Sequence, residues 1–215
     1  MFQKVIAVSD TEIAIPHYGQ NDPFEYQTQK KLIEVARDIE LAAIAGTRAS
    51  GASGVARSMD GAIVLITTNK TAQTSGTSFT EDTFNSLVAG VYAGGTDEEV
   101  DLIMVNSYLK RVIDKYATNT TKYLDAEDFK QVLRVDVYQS SYGQHEIIME
   151  RNVPAGAVLG VDTSKWRLAW LTGRRMAIKP LAKTGSATKA LLEGEATLEA
   201  LAEKSSFYAA GYFRG

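Results

Sequence analysis

The chain offers few groups that could do chemistry. His17 and His145 are its only histidines, and it contains no cysteine. Thiol nucleophiles and disulfides are therefore excluded. A zinc site would need carboxylates gathered at long range, and no ligand spacing announces one. Serines are numerous, but none stands in a G-x-S-x-G elbow. Neither G-x-x-x-x-G-K-[ST] nor a strand-led G-x-G-x-x-G occurs. Gly51-Ala52-Ser53-Gly54 follows a helical stretch, so it reads as a close-packed loop instead of a phosphate cradle. Both histidines read as structural or exposed residues.

What remains is charge. Glu193 and Glu195 sit two apart, which on one strand face separates them by roughly 7 Å. That spacing suits a solvated face, or a surface that pairs with basic groups, better than an acid–base couple. Arg174, Arg175 and Lys179 form a basic cluster beside apolar strands. They would meet carboxylates of a neighbouring subunit or face water. Trp166 and Trp170 share a strand face and read as core. No catalytic, cofactor-binding or metal-binding residue is expected, and no cofactor.

Composition narrows the class further. With 215 residues, 45% hydrophobic and 23% charged, this is an ordinary globular chain. Its net charge of −3 lacks the basic excess of a dedicated nucleic-acid binder. No apolar run approaches the roughly 18–20 residues of a membrane span. Met1 to Asp10 lacks the charged and apolar regions of a signal peptide.

The elements that must position these charges alternate between helix and strand. Phe2 to Ile15 reads as extended, and Pro16 to Gln20 as a loop. Asp22-Pro23-Phe24-Glu25 carries a cap, a first-turn proline and a capping-box glutamate. The helix it opens runs to about Gly46, roughly 24 residues and about 36 Å. Leu32, Val35, Ala36, Ile39, Ala42 and Ala43 form its apolar stripe, with Arg37 and Glu40 among the charges covering the rest. Gly61 to Thr67 reads as a short strand and Thr68 to Thr77 as a loop. Ser78-Phe79-Thr80-Glu81 reads as a second capping box. The helix it starts buries Phe84, Leu87, Val88 and Val91 and ends at Gly94-Gly95. Val100 to Val105 is a buried strand. Asn106 or Ser107 caps a third helix, with Leu109, Val112, Ile113 and Tyr116 inside. Beyond Phe129 strands dominate: a hairpin of 131–139 and 144–150, then 158–161 and 166–171. Thr188 to Ala202 has helix-forming residue types, yet it alternates small or apolar residues (Ala190, Leu192, Gly194, Ala196, Leu198, Ala200, Ala202) with polar ones. Period outweighs propensity here, so one long C-terminal strand is expected. The result is an α+β chain whose design suits assembly better than turnover.

Ile33-Glu34-Val35-Ala36-Arg37-Asp38-Ile39-Glu40, the small-residue stretch after it, and Arg57-Ser58-Met59-Asp60-Gly61 resemble the major head proteins of tailed bacteriophages. Similar segments follow in the same order: Val135-Asp136-Val137-Tyr138 with Tyr142-Gly143, Trp166 to Leu171, Leu181-Ala182-Lys183-Thr184-Gly185, and Glu195-Ala196-Thr197-Leu198-Glu199. The resemblance implies the Hong Kong 97 phage capsid fold. It places the returning limb of an extended loop at 1–19 and a peripheral domain with its spine helix at 20–77. An axial domain would fill 78–161, and the rest of the peripheral domain 162–215. The family's N-terminal arm and outgoing loop limb have no matched counterpart, and no crosslinking residue carries over. The implied function is a major capsid protein that forms hexamers and pentamers of an icosahedral head, enclosing double-stranded DNA without sequence-specific contact. It would assemble in the host cytoplasm and reside in the virion, with portal and decoration proteins as further partners and no membrane. Arg37, Glu40, Arg174, Arg175, Lys179, Glu193 and Glu195 are the expected inter-subunit contacts. The alternatives are an encapsulin-like compartment shell and, from another class, an α+β enzyme with a convergent site around His145.

Overall fold

The computed structural model describes residues 1–15, 22–73, 77–94, 99–119 and 137–212. His17 and its expected loop, Gly95, the side chain of Tyr116, and 131–136 of the expected hairpin lie outside the described residues.

Local chemistry sets the element ends. β1 (Phe2–Ser9) stops six residues short of the expected Ile15. There the Ser9 hydroxyl accepts from the Glu12 N–H at 3.1 Å and opens a helical turn, α1 (Asp10–Ala14). α2 (Pro23–Ala45) starts as expected, because Asp22 Oδ1 accepts from the Phe24 N–H at 2.8 Å. The expected strand at Gly61–Thr67 is instead a helical turn, α3 (Ala62–Leu65), closed by Ile66 N–H to Ala62 O at 3.0 Å. An apolar run this short fits either period. The expected loop after it contains β2 (Lys70–Ala72). α4 (Glu81–Ala93) is capped by Thr80, not Ser78: the Thr80 hydroxyl accepts from the Thr83 N–H at 3.2 Å. Gly94 keeps a helical φ of −67°, so no left-handed residue at that position stops α4.

β3 (Leu102–Val105) leads into α5 (Ser107–Asn119), where Asn106 Oδ1 caps the Leu109 N–H at 3.0 Å. β4 (Val137–Ser140) and β5 (Gly143–Met149) form the expected hairpin. β6 (Val158–Val161) follows a turn at Pro154–Ala157, where Gly156 takes a φ of +71° that favours glycine. Then come β7 (Trp166–Trp170), β8 (Ala177–Pro180), β9 (Ala187–Gly194), β10 (Ala196–Ala200) and β11 (Phe207–Ala210). The single C-terminal strand is thus two strands. At Glu195 the backbone N–H turns to Arg174 O (3.0 Å) and the carbonyl accepts from Leu171 N–H (2.9 Å). The ladder changes partners at that residue while the alternation runs on. Gly194 is small for a reason: a Cβ there would lie 2.9 Å from the Trp170 ring.

The chain divides into two compact units. Unit 1 holds residues 1–61 and 168–199. Its sheet runs β1-β9-β8, antiparallel throughout, with Phe2 opposite Gly194 and Ser9 opposite Ala187. α2 packs on this sheet. Ile6, Val35 and Leu192 form the core, with Phe2, Phe24, Ile39 and Met176 against it. The buried stripe is narrower than expected, for Leu32 and Ala36 are exposed. After α2, Gly46 and Gly61 meet backbone to backbone, Gly61 N–H donating to Gly46 O at 2.9 Å. The loop between them is fastened by bridges Ala49–Ser58 and Ala52–Val55.

Unit 2 holds residues 62–167 and 200–215. Its six-stranded sheet runs β2-β11-β6-β3-β5-β4, with β2–β11 and β3–β5 parallel. Phe84, Val88 and Val91 of α4 and Leu109 and Ile113 of α5 join Ile103, Val105 and Ile147 of the sheet in one buried cluster. At Gly160, the ring of Phe207 occupies the space a side chain would need. β7 and β10, most of whose residues belong to unit 1, pair as a separate two-stranded ribbon.

Candidate assembly surface

The charges singled out in the sequence meet in unit 1. The 171–176 loop turns back on itself through Arg174 N–H to Leu171 O at 2.9 Å, which sets the Arg174 side chain beside β9. Its Nη2 lies 3.6 Å from Glu193 Oε1 and its Nε 3.4 Å from Glu195 Oε1. From the neighbouring strand β8, Lys179 Nζ reaches Glu193 Oε1 at 2.5 Å. The Lys179 hydrogen bond holds the Glu193 carboxyl below the ordinary carboxylate range, against the opposing effect of burial. Arg174, Arg175 and Lys179 are exposed, while Glu193 and Glu195 are half-buried. Arg37 and Glu40 stand elsewhere, exposed on α2 near Ile33 (55% exposed) and Leu41 (50%). The structure therefore brings together Arg174, Lys179, Glu193 and Glu195, and leaves Arg37, Glu40 and Arg175 outside that cluster.

Two further ionic contacts fix unit 1. Lys4 Nζ of β1 lies 2.9 Å from Asp38 Oδ2 on α2, and its hydrogen bond to Asp38 raises the Lys4 ammonium above its ordinary value. Asp10 accepts from Lys183 Nζ at 3.0 Å and from Thr188 Oγ1 at 3.1 Å, which lowers its carboxyl. Neither contact has a local signal in the sequence, since Asp10 and Lys183 are 173 residues apart. In unit 2, Lys110 and Asp114 are buried together on α5, and Lys110 Nζ donates to Ile147 O at 3.0 Å. Their i, i+4 spacing was readable; their burial was not.

The one histidine among the described residues has the outline of a dyad. His145 Nε2 is 2.7 Å from Ser140 Oγ, and Nδ1 is 2.5 Å from Val100 O. A carbonyl can only accept, so Nδ1 carries the hydrogen and Nε2 accepts from the serine. His145 is fully buried, with its edge to Phe84 at a centroid distance of 6.2 Å. A substrate could not reach it, and the third position is a backbone carbonyl instead of a carboxylate. These bonds tie the β4–β5 hairpin to the segment before β3. Among the described residues, no three histidine or acidic side chains converge to hold a metal ion, and no helix is long and apolar enough to cross a membrane. A groove of about 580 Å³ lies along α5, lined by Tyr108, Arg111, Val112 and Lys115 and by Ala155 of the following turn.

The sequence family described as SU10 major capsid protein matches residues 1–212. No curated protein sequence matches the chain. Among solved structures, the holo-SrpI encapsulin complex of Synechococcus elongatus PCC 7942 is similar with a TM-score of 0.67 at 11% identity, covering 98% of this chain and 72% of that one. The capsid of cyanophage A-1(L) gives a TM-score of 0.64 at 10% identity over 98% and 77% of the two chains. Microbacterium phage Oxtober96 gives 0.63 at 16% identity over 98% and 71%. Identities this low establish a shared fold, the Hong Kong 97 fold expected from the sequence.

Proposed function

The chain belongs to the SU10 major capsid protein family, a structural family without enzymatic activity, and from that premise we propose how its surfaces build a phage head. As a capsid protein it is a shell subunit of the virion. Unit 1, with α2 as spine helix, is the peripheral part of that subunit. Unit 2, whose 62–167 stretch contains the whole of the expected 78–161, is the axial part. Copies associate into hexamers and pentamers that close with icosahedral symmetry around double-stranded DNA, in the host cytoplasm. Portal and decoration proteins complete the particle.

Within this reading Arg37 and Glu40 on the exposed side of α2, and Arg175 in the 171–176 loop, contact neighbouring subunits. Arg174, Lys179, Glu193 and Glu195 do so as a preassembled group. An exposed pair contributes at most about 1 kcal/mol, but a closed shell repeats it in every subunit. The net charge of −3 suits a wall that encloses DNA without gripping it. The observation that carries the reading is the family match across 1–212.

A compartment shell enclosing a protein cargo is the second reading, favoured by the encapsulin likeness, which shows fold alone. Electron microscopy of native particles produced from the full-length gene separates the two. Closed shells with six- and five-fold capsomers around DNA are the expected image. Protein cargo inside would move the chain to the compartment reading, and a stable monomer would refute both.

A further inference from the structure

Unit 2 carries opposite charge at the two ends of its parallel strand pair β3–β5. The turn at Pro154–Ala157 and the start of α5 both stand where β3 and β5 finish, so the groove between them opens at the C-terminal ends of those strands. Arg111 and Lys115 line it and are exposed; Tyr108, Val112 and Ala155 give it an apolar floor. At the N-terminal ends, Asp101 precedes β3, and Glu146 stands opposite Leu102 in the β3–β5 register. Glu99 joins them, its Oε2 only 2.7 Å from where a Gly143 Cβ would stand. All three acids are exposed. Asp101 accepts from the Thr163 N–H and hydroxyl, which are neutral donors and leave its charge in place. None of these five charges forms an ion pair among the described residues.

We propose that unit 2 associates head to tail with a second copy of this chain, the Glu99–Asp101–Glu146 end of one copy seating in the Arg111–Lys115 groove of the next. The proposal rests on the shell reading above and assigns it a specific contact. Two different patches on one chain make a heterologous interface, which closes into a ring when the rotation allows. Opposite charges at the two patches orient the encounter and penalise head-to-head pairing. The groove suits a protein end better than nucleic acid. A phosphate backbone is gripped by rows of cations, whereas here two cations flank an apolar floor that can take the stems of glutamate side chains.

The test uses the full chain and four exposed positions. Arg111→Glu with Lys115→Glu, and separately Glu99→Lys with Glu146→Lys, are compared with the wild type by sedimentation velocity in 0.15 M NaCl. Asp101 is left alone because it fastens Thr163. Each double variant is expected to keep its circular dichroism spectrum and to lose at least tenfold in assembled fraction at fixed concentration. Combining all four reversals restores the complementarity, and with it the assembly. The proposal is overturned if either double variant assembles like the wild type, or if the fourfold variant is folded but stays unassembled. Unchanged assembly with loss of salt-sensitive binding to a labelled 20-base-pair duplex would overturn it in favour of a nucleic-acid groove. A wild type that never assembles would refute the shell reading itself.

Discussion

Gly160→Ala tests the packing of unit 2 at a single atom. Gly160 stands on β6 between Phe207 of β11 and Ile103 of β3. A Cβ built there would lie 2.2 Å from Phe207 Cε1 and 2.6 Å from Cζ. Carbon atoms in contact prefer about 3.5–4.0 Å, so the ring must retreat by more than 1 Å. It has little room: Phe207 is 1% exposed and sits in the same cluster as Phe79, Ile103 and Tyr212. Overpacking a full core costs about 1–3 kcal/mol, and the rigidity of this ring points to the upper end. At about 2–4 °C per kcal/mol for a chain of this size, the melting temperature should fall by about 6–12 °C. Thermal unfolding of the unassembled subunit, followed by circular dichroism, reads this directly. Phe207→Leu should be destabilising alone and should recover part of the loss when combined with Gly160→Ala. Contacting residues couple in this way, by about 0.5–3 kcal/mol. A Gly160→Ala protein that melts within 1 °C of the wild type, or strictly additive effects of the two changes, would refute the reasoning.

Two further outcomes follow from the caps and carboxylates. Asp22→Ala removes the acceptor for the Phe24 N–H at the start of α2 and should cost about 1 kcal/mol, while Asp22→Ser should retain most of it; chemical denaturation of both variants checks the difference. Glu203 is held below its ordinary pKa of 4.5: burial opposes ionisation, but hydrogen bonds from the Thr68 hydroxyl and the Thr67 and Thr68 N–H groups outweigh it. A depressed carboxyl stabilises the fold above its unfolded pKa, and the benefit is lost as pH falls through the folded value. Glu203→Gln should therefore melt below the wild type at pH 7, with the gap closing as the pH drops below about 4.5; a constant gap down to pH 3 would count against the assignment.

Sequence signals located what is decided locally. Asp22-Pro23 and Gly46 bound α2, and Asn106 opens α5, because capping involves atoms within a few residues. The hairpin turn at Ser140–Gly143 and the strand at Val158–Val161 were legible for the same reason. Ser9 reads as part of a strand in the sequence, because its hydroxyl can serve either a loop or a cap. β2 was invisible in the Thr-rich stretch around it; a three-residue strand exists through its partner, here β11, which lies far along the chain. The break at Glu195 leaves no sequence signal, for a sharper reason. Ala190, Leu192 and Gly194 are buried and the residues between them are not, and the same alternation of residue types runs on through Ala196, Leu198 and Ala200 of β10. Periodicity reports which side of a strand faces inward; it carries no information about which strand supplies the hydrogen bonds. Helix-forming residues such as Leu191 and Glu193 stay extended because β1 and β8 flank them on both edges.

The charged residues divide by a different criterion, which only the folded chain supplies. Arg174 and Lys179 against Glu193 and Glu195 sum to zero, with every member within 4 Å of an opposite charge. A neutral group meets a neighbouring subunit through local hydrogen bonds more than through net Coulombic attraction, so replacing its members should lower the stability of unit 1 as well as weaken that contact. The surplus charges are the ones with energy left to contribute to association. Arg111 and Lys115 bring +2 to one end of the parallel strands, and Glu99, Asp101 and Glu146 bring −3 to the other. Sequence spacing points to Glu193 with Glu195 and to Arg174, Arg175 and Lys179 because each set is close along the chain. Arg111 and Glu99 carry no such signal, since what sets them apart is that neither forms an ion pair among the described residues. Salt should separate the two cases. Raising NaCl from 0.15 M toward 1 M shortens the screening length from about 8 Å to about 3 Å, which should weaken the surplus-charge contact between copies far more than the contacts inside unit 1. Subunit association should then fall with salt while the melting temperature of the dissociated subunit stays nearly level.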